Sequence, residues 1–337
     1  MNLQFRAKRM LVRLTLLGLT SFVLGLPIGQ AAQPAAAASA GASTQLMQTL
    51  QTALRSTNPA QRSAAVRGLG DLGASAKAAL PALNEALQDS NEDVRLYAAF
   101  ALAKIAPDAP TTITALSQAL RDNAPNVRSA AARGLLAIGP AAKPAVPALA
   151  AALQDQDASV RWSAAQALGK IGPTASAAVP ALGKALQDEV ENVRSAAAQA
   201  LGLIGPEAKT AAPALIASLK DKQQTVRNFA ARSLAATDSS LATAALTDLL
   251  QAEDWRDRVV AAQSLELLGA KAKPATSALL VALKDKIDLV RVYAAYALGA
   301  IGADARAAIP PLNEAAKDQN PYIRASANRA LLAIRGH

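Results

Sequence analysis

Cysteine is absent from this 337-residue chain, and its one histidine is the last residue, His337. Without thiols there is no disulfide framework, no thiolate metal site and no lipid anchor on an N-terminal cysteine. Without an internal histidine there is no Ser-His-Asp triad, no Cys-His pair and no His–carboxylate metal cluster. Aromatic residues make up only 3% against 52% hydrophobic residues overall, so the buried surface is built from Ala, Leu, Val and Ile. Such small side chains suit helices packed closely on one another. No phosphate-cradling glycine loop and no nucleic-acid motif occurs either. No enzyme chemistry, cofactor or metal is expected, and nucleic acid is not an expected partner.

What the chain has in abundance is repetition. From Arg161, strides of 33 residues reach Arg62, Arg95, Arg128, Arg194 and Arg227, and after one stride of 31 they reach Arg258, Arg291 and Arg324. An alanine stands three residues after each arginine and a leucine seven after it, as Ala164 and Leu168 do for Arg161. A fixed period of this length means a solenoid, here of nine units.

Each unit divides into two helical patterns. In the second, Val160, Ala164, Leu168 and Ile171 fall on one face. Asn58, Asn91, Asp157, Asp254 and Asn320 are expected to cap the start of this helix, with Pro59, Pro125 and Pro321 at the next position, where a missing N–H costs nothing. Gly139-Pro140, Gly172-Pro173 and Gly205-Pro206 should end it. The first helix carries leucine pairs four apart, such as Leu83 and Leu87 or Leu182 and Leu186. A proline two positions earlier (Pro81, Pro147, Pro180, Pro213, Pro310) should start or kink that helix.

Pro-x-Leu-x-x-x-Leu-x-Asp, five residues, then Arg-x-x-Ala-Ala-x-x-Leu-Gly-x-Ile-Gly resembles the HEAT-like repeat of the phycobilisome lyase type, over roughly residues 44–335. Ankyrin repeats share the period, but their Thr-Pro-Leu-His signature is missing. The resemblance implies an all-α, right-handed α-solenoid of nine two-helix repeats over residues 44–337. It also implies an Asp–Arg ladder along the stack, with the matching pairs Asp89 and Arg95, Asp122 and Arg128, Asp155 and Arg161, Asp188 and Arg194, Asp221 and Arg227, Asp285 and Arg291, and Asp318 and Arg324. Ser56 and Ala252 replace the aspartate in units one and seven, where the ladder should be interrupted. Unit seven also lacks the Gly-Pro turn, is two residues shorter and carries Asp257 at the usual valine position, so the stack should bend or loosen there. Deoxyhypusine hydroxylase, a HEAT-like enzyme, depends on His-Glu motifs, and none occurs in this chain.

In stacks of this kind the second helices line the concave side. Positions one, five and eight after the arginine are expected opposite the buried face. The five-after position holds Arg67, Phe100, Arg133, Gln166, Gln199, Arg232, Gln263, Tyr296 and Arg329, and the one-after position includes Leu96, Trp162, Val259 and Val292. The eight-after position is mostly small and should leave open floor. This basic, glutamine-bearing stripe with aromatic residues is the candidate protein-binding face, suited to an acidic partner. The aromatic rings could equally pack on neighbouring repeats. The alternative function is a phycobilin lyase-like chromophore handler that holds a tetrapyrrole by Arg–carboxylate pairs and stacking.

Residues 1–31 are of another kind. Arg6, Lys8, Arg9 and Arg13 precede an apolar run from Leu14 to Leu26, then Pro27, Gly29 and Ala31. This pattern is that of a signal peptide cleaved after Ala31, followed by a low-complexity linker over 32–43. An uncleaved anchor is the alternative, for which the run is short against the roughly 20 residues a span needs. Losing the four basic residues lowers the formal charge from +10 to +6. The expected product is an exported protein of the periplasm or an equivalent space, with no stable membrane insertion.

Overall fold

The computed structural model describes residues 45–336, and from Met47 onward these form one unit. The expected signal peptide and linker lie outside the described residues. Nine helix pairs follow one another: α1 (45–53) with α2 (Pro59–Leu72), α3 (Leu80–Ala86) with α4 (Glu92–Ile105), α5 (Pro110–Ala119) with α6 (Pro125–Ile138), α7 (Val146–Ala152) with α8 (Ala158–Ile171), α9 (Val179–Ala185) with α10 (Glu191–Ile204), α11 (Ala212–Ser218) with α12 (Gln224–Thr237), α13 (Ser239–Leu249) with α14 (Trp255–Leu268), α15 (Thr276–Ala282) with α16 (Asp288–Ile301), and α17 (Ile309–Ala315) with α18 (Pro321–Arg335). There is no strand among the described residues. The all-α solenoid of paired helices is as the repeat predicts.

The helix starts follow the expected chemistry. Asn58, Asn91, Asp157, Asp254 and Asn320 each accept a hydrogen bond from a free N–H of the first turn. Gly172 ends α8 at φ 75°, a left-handed conformation that a side chain would strain. The proline of the first helix starts an α segment rather than kinking one. Ahead of α3, α7, α9, α11, α15 and α17 the chain winds as a 3-10 helix, for example over Gly172–Ala178. A 3-10 helix has three residues per turn, and the buried alanines Ala175 and Ala178 are spaced three apart to match it. Among the described residues, one helical stretch, Pro125–Ala152, is long and apolar enough to cross a membrane by composition. In the stack it is α6 and α7, joined through Gly139, with Leu135 and Leu149 fully buried.

The core is continuous along the stack. Val160, Ala164, Leu168 and Ile171 are all buried, and so are the leucine pairs of the first helices, Leu182 and Leu186 among them. Burying each leucine fully contributes about 1.5–3 kcal/mol. Consecutive even-numbered helices pack along most of their length, whereas the odd-numbered ones touch their successors sparsely. The closer row is that of the second helices, the side expected to be the inner one.

The ladder exists, but its register differs from the expected one. The carboxylate of each aspartate pairs with the arginine of the preceding repeat: Arg62 with Asp89, Arg95 with Asp122, Arg128 with Asp155, Arg161 with Asp188, Arg194 with Asp221 and Arg258 with Asp285. Each pair is two-pronged, with Nε and Nη2 donating over 2.6 to 3.0 Å. The aspartate in the arginine's own repeat contributes only its backbone carbonyl, as Asp155 does to Arg161 Nη1 at 2.9 Å. Any residue can supply that carbonyl, so Ser56 and Ala252 serve Arg62 and Arg258 equally well, each at 2.8 Å.

At unit seven the ladder is rerouted rather than interrupted. Arg227 finds no carboxylate at Ala252 and pairs with Asp257 at 2.9 Å and Asp254 at 3.2 Å, while Gln224 donates to Asp257 at 2.9 Å. Asp257 at the valine position therefore offsets the missing aspartate. Contact between α12 and α14 is less extensive than between the other neighbouring second helices, so the junction is looser. The next weak point is Arg291, which turns to Asp288 at 2.7 Å and lies 3.8 Å from Asp318. Asp257→Val is expected to cost about 1–3 kcal/mol by leaving Arg227 under-paired. Adding Ala252→Asp should recover most of that loss, and urea midpoints of the single and double variants check it.

The ladder also sets an acid limit. Each carboxylate accepts a turn N–H as well, for example Val190 N–H on Asp188 at 2.9 Å. The Arg62 hydrogen bond is the largest influence on Asp89 and holds it below the usual carboxylate range. Burial by itself would raise Asp122, Asp155, Asp188, Asp221 and Asp285. The preceding arginine's hydrogen bond, the turn N–H and nearby guanidinium charge together outweigh it, so these five are lowered too. A carboxylate depressed in the folded state stabilises it above the unfolded value, and that stability is lost as pH falls through the folded value. The melting temperature is thus expected to stay level down to about pH 5 and to fall below about pH 4, with a shallower fall in Asp188→Asn.

Candidate functional site

The second helices place the five-after side chains in one line across the inner face. Arg67, Arg133, Gln199, Arg232 and Arg329 are exposed, and Phe100, Gln166 and Tyr296 are half-buried. Three of the arginines rest on aromatic rings: Arg67 over Tyr97 at 4.9 Å, Arg133 over Phe100 at 5.5 Å and Arg329 over Tyr296 at 5.5 Å. The rings hold the guanidinium planes in place while their N–H edges stay free. Arg232 donates to Gln263 at 3.2 Å. In contrast to the ladder arginines, none of Arg67, Arg133, Arg232 and Arg329 forms an ion pair among the described residues.

Two expectations for this face need correction. One-after residues do not all point outward: Val259 and Val292 are buried, and Leu96 and Trp162 are half-buried against the core. A helix turning 100° per residue carries that position partly toward the next repeat. The small eight-after residues are not simply open floor, because the next second helix lies directly against them. A Cβ on Gly169 would sit 3.0 Å from Ala200 Cα, and one on Gly299 would sit 2.9 Å from Ala330 Cα. Glycine there permits the close approach of the inner row, and shallow cavities remain above the contact.

Phe100 packs against the core as well as under Arg133, which is the packing expected as the alternative for the aromatic rings. Tyr296 meets Tyr293 edge-on at 6.0 Å. Glu266 shares a cavity with Tyr296 and Arg329, where burial pushes its carboxyl up against the opposing pull of Arg329.

A family model for HEAT repeats matches residues 46–135, 80–153, 113–202, 179–266 and 252–332. The chain belongs to the HEAT-repeat family. Among solved structures, this HEAT-repeat chain is similar to an engineered protein (24% identity, 91% of this chain and 92% of that one, TM-score 0.57) and to importin beta (18% identity, 93% and 48%, TM-score 0.64). It is also similar, more distantly in shape, to the CpcE–CpcF complex of phycocyanin lyase from Nostoc sp. PCC7120 (24% identity, 76% and 94%, TM-score 0.42). The likenesses to the engineered protein and to importin beta show the fold, and the chain spans about half the length of importin beta. No curated protein matches its sequence.

Reading three helix positions missed Tyr97 and Tyr293, which stand two after the arginine, and Glu266 at the eight-after position. The signal for Tyr97 was available in the sequence. It lies 30 residues beyond Arg67, three short of a full HEAT-repeat stride, which in a helix stack puts it on the neighbouring surface.

Proposed function

We propose that the protein is an exported, non-catalytic HEAT-repeat scaffold that binds a protein partner with an acidic, partly apolar surface along its second-helix face. The observation that carries this reading is the line of four arginines that form no salt bridge among the described residues, Arg329 alone having a nearby carboxylate in Glu266, on the same row of helices whose ladder arginines from Arg62 to Arg258 are paired. Fixed, desolvation-tolerant guanidiniums beside aromatic rings are the groups that most often dominate binding energy at protein interfaces. The N-terminal pattern of basic residues followed by Leu14–Leu26 supports export.

The test is capture of the partner by the mature chain, followed by affinity measurement on purified components. Arg133→Glu is expected to weaken binding at least tenfold, about 1.4 kcal/mol, with the melting temperature unchanged. The effect should shrink as salt rises, because the lost interaction is between charges at the surface. Trp162→Ala should also weaken binding, although Trp162 packs on the core and its stability must be read alongside. Lys184→Glu on α9 is the control. Loss of binding in the control with normal binding by Arg133→Glu would place the working surface on the outer side.

A further inference from the structure

Three cavities lie on the inner face at the same helix register, each above a contact between an eight-after glycine and the next repeat's alanine: Gly70 with Ala101, Gly169 with Ala200, and Gly299 with Ala330. Their volumes are about 230, 180 and 210 Å³. Sites for small molecules run to about 300–1,000 Å³, so each cavity is of a size for a single side chain rather than a free ligand. The first is walled by Arg67, Tyr97 and Phe100, and the last by Tyr296, Arg329 and Glu266. The middle one is walled by Gln166, Gln199 and Leu203 and carries no arginine.

Gln166 and Gln199 make no hydrogen bond among the described residues, while each side-chain amide offers both a donor and an acceptor. A peptide group offers the same pair in complementary order. Leu203 and Leu267, at equivalent positions beside the line, are also exposed, at 54% and 73%.

We infer that this face takes an extended polypeptide segment, with main-chain groups on Gln166 and Gln199, carboxylates on Arg67, Arg133 and Arg329, and apolar side chains in the three cavities. The inference rests on the scaffold reading above and specifies the form of the partner. Helices stacked at about 8–10 Å put the cavities roughly 30 and 40 Å apart, three and four repeats respectively. An extended chain rising about 3.3 Å per residue covers these gaps with roughly 9 and 12 residues. A folded partner with a flat surface would not reach three separated single-side-chain cavities. A strand running across the helices presents protruding side chains to each in turn. The excess of unpaired arginines selects acidic sequences, and the ring and leucine walls select apolar anchors among them.

The experiment is selection of random 24-residue peptides displayed on phage against the immobilised full-length protein, with affinities of the enriched peptides then measured by fluorescence anisotropy. Enriched peptides are expected to be rich in Asp and Glu with interspersed Leu, Phe or Tyr. Gln199→Trp, which fills the middle cavity from an exposed position and removes one amide, should weaken them at least tenfold with an unchanged melting temperature. Ala300→Trp should do the same at the last cavity. Enrichment of neutral or basic peptides, no enrichment, or undiminished binding to both tryptophan variants overturns the inference. A folded partner that is weakened by Arg133→Glu but not by Gln199→Trp also overturns it, and leaves the scaffold reading standing. If neither variant weakens any partner, the scaffold reading itself falls.

Discussion

Arg161→Glu is expected to destabilise the solenoid by about 3–5 kcal/mol, the usual consequence of breaking a buried, hydrogen-bonded ion pair from one side. Arg161 is 8% exposed and grips one carboxylate and two backbone carbonyls at once. Its Nε and Nη2 grip Asp188 at 2.7 and 2.9 Å, and its Nη1 donates to the carbonyls of Asp155 and Gln156 at 2.9 and 3.0 Å. Glutamate would place a like charge against Asp188 and leave both carbonyls unpaired. In a quasi-one-dimensional stack, stability is a sum of repeat and interface contributions, so damage at an interior interface can divide one unfolding transition into two. A urea melt followed by circular dichroism should show a lower midpoint or a second step. Combining Arg161→Glu with Asp188→Arg should recover only part of the loss, because the two carbonyls remain unserved. An unchanged midpoint in the single variant would mean that the ladder carries no stability.

Leu168→Ala is expected to cost about 2–5 kcal/mol. Leu168 is fully buried, as are Leu69, Leu102, Leu135, Leu201, Leu234, Leu265 and Leu298 at the equivalent positions. Each meets its own first helix and the adjoining repeat, so the cavity left by truncation cannot close by moving one element. Leu331, on the last helix among the described residues, is 5% exposed, so Leu331→Ala should cost less than Leu168→Ala. Gln199→Ala, on the open face, should cost under about 0.5 kcal/mol. Denaturation midpoints for the three variants should fall in that order. Equal midpoints for Leu168→Ala and Gln199→Ala would contradict the buried assignment.

The ladder shows where reading a sequence stops. The aspartates and arginines that form it are plain from the period, and so is the fact that they pair. Which aspartate meets which arginine is not plain, since Asp155 and Asp188 lie 6 and 27 residues from Arg161 on either side. The carboxylate of Asp155 points away from its own repeat because its turn N–H and the preceding arginine hold it there. Asp257 reads in sequence as a defect at a valine position. In the structure it is the replacement for Ala252, because its carboxylate lies 2.9 Å from Arg227 Nε. The inner face divides in the same way. Its line of arginines and glutamines is written at one residue per repeat, but the stacking of Arg67 on Tyr97 joins positions of different register in different repeats.

Helix starts, helix ends, the buried stripe and the number of repeats were determined by the sequence alone, because each depends on interactions within a few residues or on a pattern copied every 33 residues. The register of the ladder, the tight approach of Ala200 to Gly169 and the cavities left above such contacts were decided only in the tertiary structure. They depend on how far one repeat is rotated and displaced against the next, and that is set by the summed packing of both helices in both repeats rather than by any one residue.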